Sequence, residues 1–250
     1  FFLGAYYAGD HPFKKKAYGP YLLMALVYVI IGLFFLQREL GTAAVFMGVF
    51  FSAQLVFEKD KKPLLLNIFL AALGLFVAYQ LFGHVRIRFE IWRDPWTDVE
   101  GKGYQIVQSL FAIASGGLFG RGIGLGNPSS IPLSHSDFIY ASIIEEMGIF
   151  MGIAVLFLFL FLFYRGLKIA MKQQQSFYKV VSLSIAMLFA SQAFIVVGGV
   201  LKLIPLTGIT LPFMAYGGSS MLTSFMLLGV LQYTSEKLPE PKEEYDVQQF

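Results

Sequence analysis

Five apolar runs, each close to 20 residues long, constrain this chain more than any single motif. They cover approximately 17–37, 40–57, 63–83, 138–164 and 178–201. About 20 consecutive apolar residues cross the hydrocarbon core of a bilayer as a helix. In that medium each backbone polar group must be satisfied within its own segment. A sixth run, 213–232, is weaker because it opens with the polar stretch YGGSS. The expected fold is therefore all-α and polytopic, with about six transmembrane helices in residues 1–233. Residues 1–8 are apolar without an initiator Met or a signal-peptide pattern, and read as the tail of a further span. On that reading the sequence is the C-terminal part of a larger protein. Only 14% of residues are charged, against roughly 25% in soluble domains. The net charge of +3 and the absence of a basic stripe argue against nucleic acid as a partner. Without cysteine, neither disulfides nor thiolate metal sites can form.

Basic residues set the expected orientation. Placing Lys14–Lys16, Lys59, Lys61, Lys62, Arg165, Lys168, Lys172, Lys179, Lys237 and Lys242 on one side collects twelve of nineteen, and that side is cytoplasmic by the positive-inside rule. The long connection 84–136 then faces outward with Arg86, Arg88, Arg93, Lys102 and Arg121. Those charges either bind something anionic or are simply solvated, because long loops escape the rule. The stretch 234–250, charged and carrying Pro239 and Pro241, reads as a disordered cytoplasmic tail.

Chemistry is expected in SGGLFGRGIGLGNPSSIPLSHSDFIYASIIEEMG, residues 115–148, where a glycine-rich polar segment re-enters an apolar span. It is not a nucleotide-binding loop: it has no GxxxxGK[ST], no GxGxxG in register and no strand before it. Its glycines suit either an anion-binding concavity of backbone amides or close helix packing by small residues. Upstream, 102–114 has an apolar face at Ile106, Leu110 and Ile113 and fits a short interfacial or re-entrant helix. Asp137 stands where the chain re-enters the membrane, and carboxylates there are usually functional or paired. Glu145 and Glu146 follow about 12 Å along the helix axis. They project about 100° apart, so one can face a polar cavity while the other meets a cation such as Arg121 or Lys202. Lys202 ends a span and is expected to snorkel. Glu39 is expected first as a local ion-pair partner of Arg38, and otherwise as a site carboxylate. In IPLTGITLPFMAYGGSS, 204–220, Pro205, Pro212 and Gly208 break the helical pattern, while Thr207, Ser219 and Ser220 add hydroxyls. Irregular backbone at membrane depth lines a wet cavity or is buried in protein. The stretch therefore borders the cavity of Asp137, or else is a kinked structural turn.

Four blocks taken together carry a family resemblance. QxxLGTA at 37–43, DPWxDxxGKGYQIVQSLxAIxSGGLFGRGIGLG at 94–126, IPxxHSDFIxAxIxEEMG at 131–148 and IPLTGITLPFxxYGGSS at 204–220 resemble the RodA/FtsW/SpoVE group of cell-wall proteins, the shape, elongation, division and sporulation family. The resemblance implies about ten spans in the whole protein and a place in the bacterial cytoplasmic membrane. It also implies a glycosyltransferase that polymerises lipid II, working with a class B penicillin-binding protein. The family's proposed essential aspartate falls on Asp137. Two positions depart from the family pattern: Glu39 replaces its usual aspartate beside Arg38, and Val196 stands where a polar residue often follows Gln192. Under this reading Asp137 is the base that activates a sugar hydroxyl. Arg86, Arg88, Arg121 and Lys202, with amides of 116–126, are candidates for a departing diphosphate, helped by a divalent cation such as Mg²⁺ or Mn²⁺. Glu39, Glu145, Glu146, Ser219 and Ser220 complete the candidate substrate-binding set. A lipid-linked precursor flippase and a non-catalytic scaffold of the division or elongation machinery are the alternative functions.

Overall fold

A computed structural model describes residues 1–9 and 18–236. Lys14–Lys16, Lys237 and Lys242 lie outside the described residues, as does most of the stretch expected to be a tail. The α-helices of the described residues are α1 (Phe2–Ala8), α2 (Gly19–Leu36), α3 (Leu40–Phe57), α4 (Lys62–Leu81), α5 (Gly83–Arg93), α6 (Tyr104–Gly116), α7 (Ile139–Lys172), α8 (Ser176–Val200) and α9 (Gly218–Glu236), and there is no strand among those residues. Helices α2, α3, α4, α7 and α8 are long and apolar enough to cross a membrane, and they coincide with the five apolar runs. This is an all-α polytopic membrane protein.

Helix α8 is the axis of the bundle. Its apolar window is 56% buried, against 17% for α4 at the periphery. Small residues bring its neighbours close, as expected where lipid supplies no hydrophobic drive between helices. A Cβ on Gly166 of α7 would sit 2.6 Å from Ala186, and one on Gly48 of α3 would sit 2.8 Å from the Ser191 hydroxyl. Gly4 of α1 likewise faces Val181 at 3.0 Å. Polar side chains add specific links at the end opposite the long connection. Tyr28 donates to Asn67 Oδ1 at 2.8 Å, and Asn67 donates in turn to Gln54 Oε1 at 2.6 Å, joining α2, α4 and α3. Such interhelical bonds contribute about 0.6 kcal/mol each on average.

Both α2 and α8 end in the same turn. Glu39 N–H reaches Phe34 O and Arg38 N–H reaches Phe35 O; Leu203 N–H reaches Gly198 O and Lys202 N–H reaches Gly199 O. These are Schellman motifs, whose left-handed residue is usually glycine. Here Arg38 (φ 63°) and Lys202 (φ 60°) occupy it, at a cost of about 1–2 kcal/mol each.

The structure refines several sequence-level boundaries. The connection 84–136 contains α5, whose polar residues hide it from a hydropathy reading. Helix α6 forms where a short helix was expected, and buries Ile106, Val107 and Ala112. The sixth run does not become helical until Gly218, because Pro212 and Phe213 (φ 63°) break the backbone before it. Helix α9 then continues to Glu236. Thr234, expected to open a tail, is instead buried and hydrogen-bonded to Ser182 at 2.9 Å.

Helix α7 is broken near its start. Gly148 has φ 84° and ψ 172°, which separates a short first half from 149–172, itself roughly 36 Å long. The glycine-rich loop is stitched into that break. Arg121 N–H and Gly122 N–H donate to Glu145 O and Glu146 O, each at 2.9 Å, while Ile149 N–H donates to Gly117 O at 2.9 Å. Side chains would not fit there: a Cβ on Gly116, Gly120 or Gly148 would fall 2.1–2.3 Å from a carbonyl oxygen across the junction.

Candidate active site

The irregular segment between α8 and α9 is the hub on which the site is built. Gly41, at the start of α3, lets it pass closely: a Cβ there would meet Ile209 at 2.3 Å and Thr207 at 3.0 Å. Arg88 of α5 anchors it by donating from Nη1 to Leu206 O at 3.1 Å and to Thr207 O at 2.5 Å. Trp92 Nε1 donates to Lys202 O at 3.1 Å. At the far end Tyr216 N–H donates to His135 O at 2.8 Å, with the two rings 5.5 Å apart. The segment thus ties α3, α5 and the chain entering α7 together.

Asp137 and Arg88 face each other across Gly208. The Cβ position of Gly208 is 3.4 Å from Asp137 Oδ2 and 3.7 Å from Arg88 Nη2. Gly208 itself is exposed and has φ 73°, a conformation that favours glycine. Among the described residues no ion pair within 4 Å joins Asp137 to Arg88, although both border Gly208. Glu39 belongs to the same electrostatic group, since its charge acts on both Arg88 and Asp137. It accepts a hydrogen bond from Thr42 at 3.2 Å and makes no ion pair with Arg38. The αL turn at Arg38 separates the two, and the local pairing expected from adjacency does not form.

Asp137 is half-buried. Burial pushes its carboxyl above the ordinary aspartate value, and the Glu39 charge adds to this; the Ser136 hydroxyl, Arg88 and His135 pull the other way. A carboxylate of raised basicity, beside a guanidinium with which it forms no ion pair, can take a proton from a hydroxyl that reaches it. Arg88 is half-buried, and its charge is supported by Asp137 and Glu39 against the cost of burial.

The remaining candidates lie elsewhere. Arg86 is about 200° around α5 from Arg88; it donates to Gln80 O at 3.1 Å and lies over the Tyr79 ring. Arg121 is 3.7 Å from Glu145. Glu145 accepts from Asn127 N–H at 3.0 Å, and Glu146 from Gly124 N–H at 3.2 Å, so both carboxylates hold the glycine loop. Lys202 turns its ammonium to Arg93 O at 3.4 Å. Ser220 shares a hydrogen bond with Thr210 at 2.9 Å, and Ser219 is exposed at the start of α9. Sequence reading had no signal for Arg88 over Arg86 beyond their shared charge. It also passed over Gly41 and Leu206.

Behind Arg88 opens a cavity of about 580 Å³ between α2, α3, α4, α5 and α8. Ile31, Phe35, Met47, Leu75, Phe82 and Ile204 are among its apolar walls, and Arg88 is the one charged side chain that lines it. An acyl or isoprenoid chain fits such walls, with an anionic end toward Arg88.

Comparison with known proteins agrees with this architecture. The family described as "Cell cycle protein", FtsW/RodA/SpoVE, matches residues 1–239. Peptidoglycan glycosyltransferase RodA of Mycobacterium tuberculosis is 40% identical over 219 residues, covering 88% of this chain and 47% of that protein. Stage V sporulation protein E of Bacillus subtilis is 37% identical, covering 83% of this chain and 57% of that protein. A probable peptidoglycan glycosyltransferase FtsW, also of Bacillus subtilis, is 33% identical over 248 residues and is covered to 60%. The chain thus spans about half to three-fifths of the length of these relatives. A solved structure concerned with polymerization and crosslinking by a peptidoglycan synthase complex matches 94% of this chain and 66% of its own, at TM-score 0.75 and 27% identity. With the family matched along nearly the whole chain, this protein belongs to the FtsW/RodA/SpoVE family of membrane proteins.

Proposed function

We propose that this chain carries the catalytic part of a peptidoglycan glycosyltransferase that polymerises lipid II at the outer face of the bacterial cytoplasmic membrane. One observation carries the reading: Asp137 and Arg88 both border Gly208 without pairing to each other, and Arg88 also lines the apolar cavity. The names of the relatives support the same activity. In the reaction a sugar 4-hydroxyl attacks the anomeric carbon of a polyprenyl-diphosphate-linked sugar. The new C–O bond forms as the bond from C1 to the diphosphate oxygen breaks, and the electron pair leaves with the diphosphate. The hydroxyl proton passes to the Asp137 carboxylate. Arg88 faces the developing charge of the leaving group, where a fixed cation is most effective. The isoprenoid chain occupies the cavity. A single displacement turns an α-linked donor into a β-linked product.

A divalent cation, Mg²⁺ or Mn²⁺, would supply additional charge for the diphosphate. Mg²⁺ is commonly held by one or two carboxylates plus substrate phosphates, and Asp137 and Glu39 are the carboxylates in reach. Among the described residues no group of three His, Asp or Glu side chains converges to hold a metal alone, so the steps above rest on the chain's own groups. The solved complex of similar fold joins polymerization to crosslinking, which supports a class B penicillin-binding protein as partner. The distribution of basic residues supports a cytoplasmic C-terminus.

Full-length protein given labelled lipid II should make polymer, and Asp137→Asn should make none detectable while accumulating normally, since loss of a general base costs roughly 10²–10⁴-fold. Wild-type polymerisation by Asp137→Asn would overturn the assignment. A protein that moved lipid II across vesicles without polymer would be a flippase, and one that did neither a scaffold. For the orientation, cysteines placed at Ser129 and Gln174 of this cysteine-free chain should label from opposite sides of intact cells.

A further inference from the structure

The glycine-rich loop 117–127, between α6 and α7, turns its apolar side chains away from the protein. Phe119, Ile123 and Leu125 are 82%, 79% and 74% exposed, and Leu118 beside them is exposed as well. These are four large apolar residues among eleven, with Arg121 the one charge between them. A contiguous apolar surface of that kind marks contact with lipid or protein. The reaction above uses none of these side chains.

Their height in the bilayer follows from α7. Lys168 is exposed on the part of α7 that the basic residues place toward the cytoplasm. Gly148 lies 20 residues earlier, roughly 30 Å along the axis and so one hydrocarbon thickness away. The break at Gly148 therefore marks the outer edge of the hydrocarbon, and the loop is bonded to that edge. Ile149 N–H donates to Gly117 O at 2.9 Å and Phe150 N–H to Leu118 O at 3.4 Å. The Phe119 and Phe150 rings stand 5.5 Å apart. Phe150 heads a stripe of exposed side chains that runs through Phe157, Phe161 and Tyr164, spaced to share one face of the helix. That face belongs to a candidate span, and Phe119 continues it outward.

The loop's backbone suits a place with little water. Gly120 N–H donates to Gly116 O, Arg121 N–H to Glu145 O, Gly122 N–H to Glu146 O and Leu125 N–H to Gly122 O, at 2.8–3.0 Å. The amides of Gly124 and Asn127 are taken by the carboxylates of Glu146 and Glu145. Irregular backbone at membrane depth has to find its partners in protein, whereas a solvated loop can leave its amides to water. Arg121 does not spoil the surface. Its side chain is half-exposed and only 3.7 Å from Glu145 at its nearest, and an arginine can keep its stem among apolar groups with its charge at the headgroups.

We infer that residues 118–125 dip into the outer leaflet of the membrane, with Leu118, Phe119, Ile123 and Leu125 among the acyl chains. The loop that Glu145 and Glu146 hold is thus anchored in lipid on its other side. Lipid, rather than a protein partner, is the occupant because the patch runs through Phe119 and Phe150 into the exposed stripe of a span. The inference is independent of the glycosyltransferase reading.

The test uses otherwise cysteine-free full-length protein in nanodiscs of phosphatidylethanolamine and phosphatidylglycerol. A single cysteine replaces Phe119, Ile123 or Leu125, or Ser129 as an exposed control on the same connection, and carries an environment-sensitive fluorophore. All four side chains are exposed, so the substitutions leave the packing of the helices alone. Quenching is measured with nitroxide-bearing phospholipid and, separately, with aqueous iodide. Labels at 119, 123 and 125 should be quenched at least about threefold more by the lipid nitroxide, and at least about threefold less by iodide, than the label at 129. If all three loop labels respond to iodide as strongly as the control, the loop stands in water and the inference fails. If they escape both quenchers, the patch is covered by protein, a second copy of the chain included, and the inference also fails. Repeating the measurement with a class B penicillin-binding protein in the same nanodisc gives the last outcome. Labels that are iodide-accessible alone and become shielded only in that complex would make the patch a protein-docking surface and overturn the lipid assignment.

Discussion

Two carboxylate-bearing stretches, one inside the first half of α7 and one just ahead of it, differ in what their oxygens touch. On one side Glu145 and Glu146 accept hydrogen bonds from the amides of Asn127 and Gly124, and Glu145 also faces Arg121. On the other, Asp137 borders Gly208 together with Arg88, and the two charges do not pair. Glycines follow the same division. Those of the loop let backbone meet backbone across the α7 break, whereas Gly208 lies within contact of two charged side chains. A carboxylate committed to amides holds structure. Asp137, beside a cation with which it does not pair, is the carboxylate we propose for the reaction.

The contrast is easiest to break at the carboxylates. Asp137→Asn should abolish polymer, a loss of roughly 10²–10⁴-fold, while the Glu145→Gln protein, which keeps an acceptor for Asn127, should retain activity. Equal losses in both would erase the distinction. The pH profile gives the sign. A base works only when ionised, and burial raises the Asp137 value, so activity should fall on acidification with a midpoint above that of an ordinary aspartate. A midpoint below it would mean that Arg88 outweighs burial.

At Arg88 the expected loss is smaller. Arg88→Ala removes a cation facing the leaving group and should cost on the order of 2–4 kcal/mol in the transition state, measured as kcat/KM for lipid II. Arg86→Ala, two residues away but turned toward Gln80 and Tyr79, should stay within about twofold of wild type. The reverse order would place the diphosphate on the other face of α5.

Glycine substitutions separate room from strain. Gly208→Ala and Gly120→Ala share a left-handed backbone and so a common cost of about 1–2 kcal/mol. Gly120→Ala also drives a methyl to 2.2 Å from Glu146 O and should lower the melting temperature or prevent accumulation. Gly208→Ala meets only ordinary contacts at 3.4 and 3.7 Å, so it should fold and lose activity by setting a methyl against Asp137 and Arg88. The smallest effect is expected for Glu145→Gln itself. It loses the Arg121 pairing and should reduce stability by about 1 kcal/mol, seen as a lower melting temperature at unchanged specific activity.

Hydrophobicity alone located all five spanning helices, because the bilayer acts on each segment by itself: length and apolar content decide insertion whatever the neighbours do. The HSDFI block put Asp137 just ahead of the α7 span, where the structure has it. Sequence could not rank Arg88 over Arg86, or assign Glu145 and Glu146 to the loop, since each choice depends on a partner far along the chain. Arg88 finds its acceptor 119 residues away, and Gly41 is required because Ile209 crosses it. The order of the blocks along the chain encodes none of these approaches. They exist only when α3, α5 and the hub segment are packed around α8, where close contact decides which charges are paired and which are left to act.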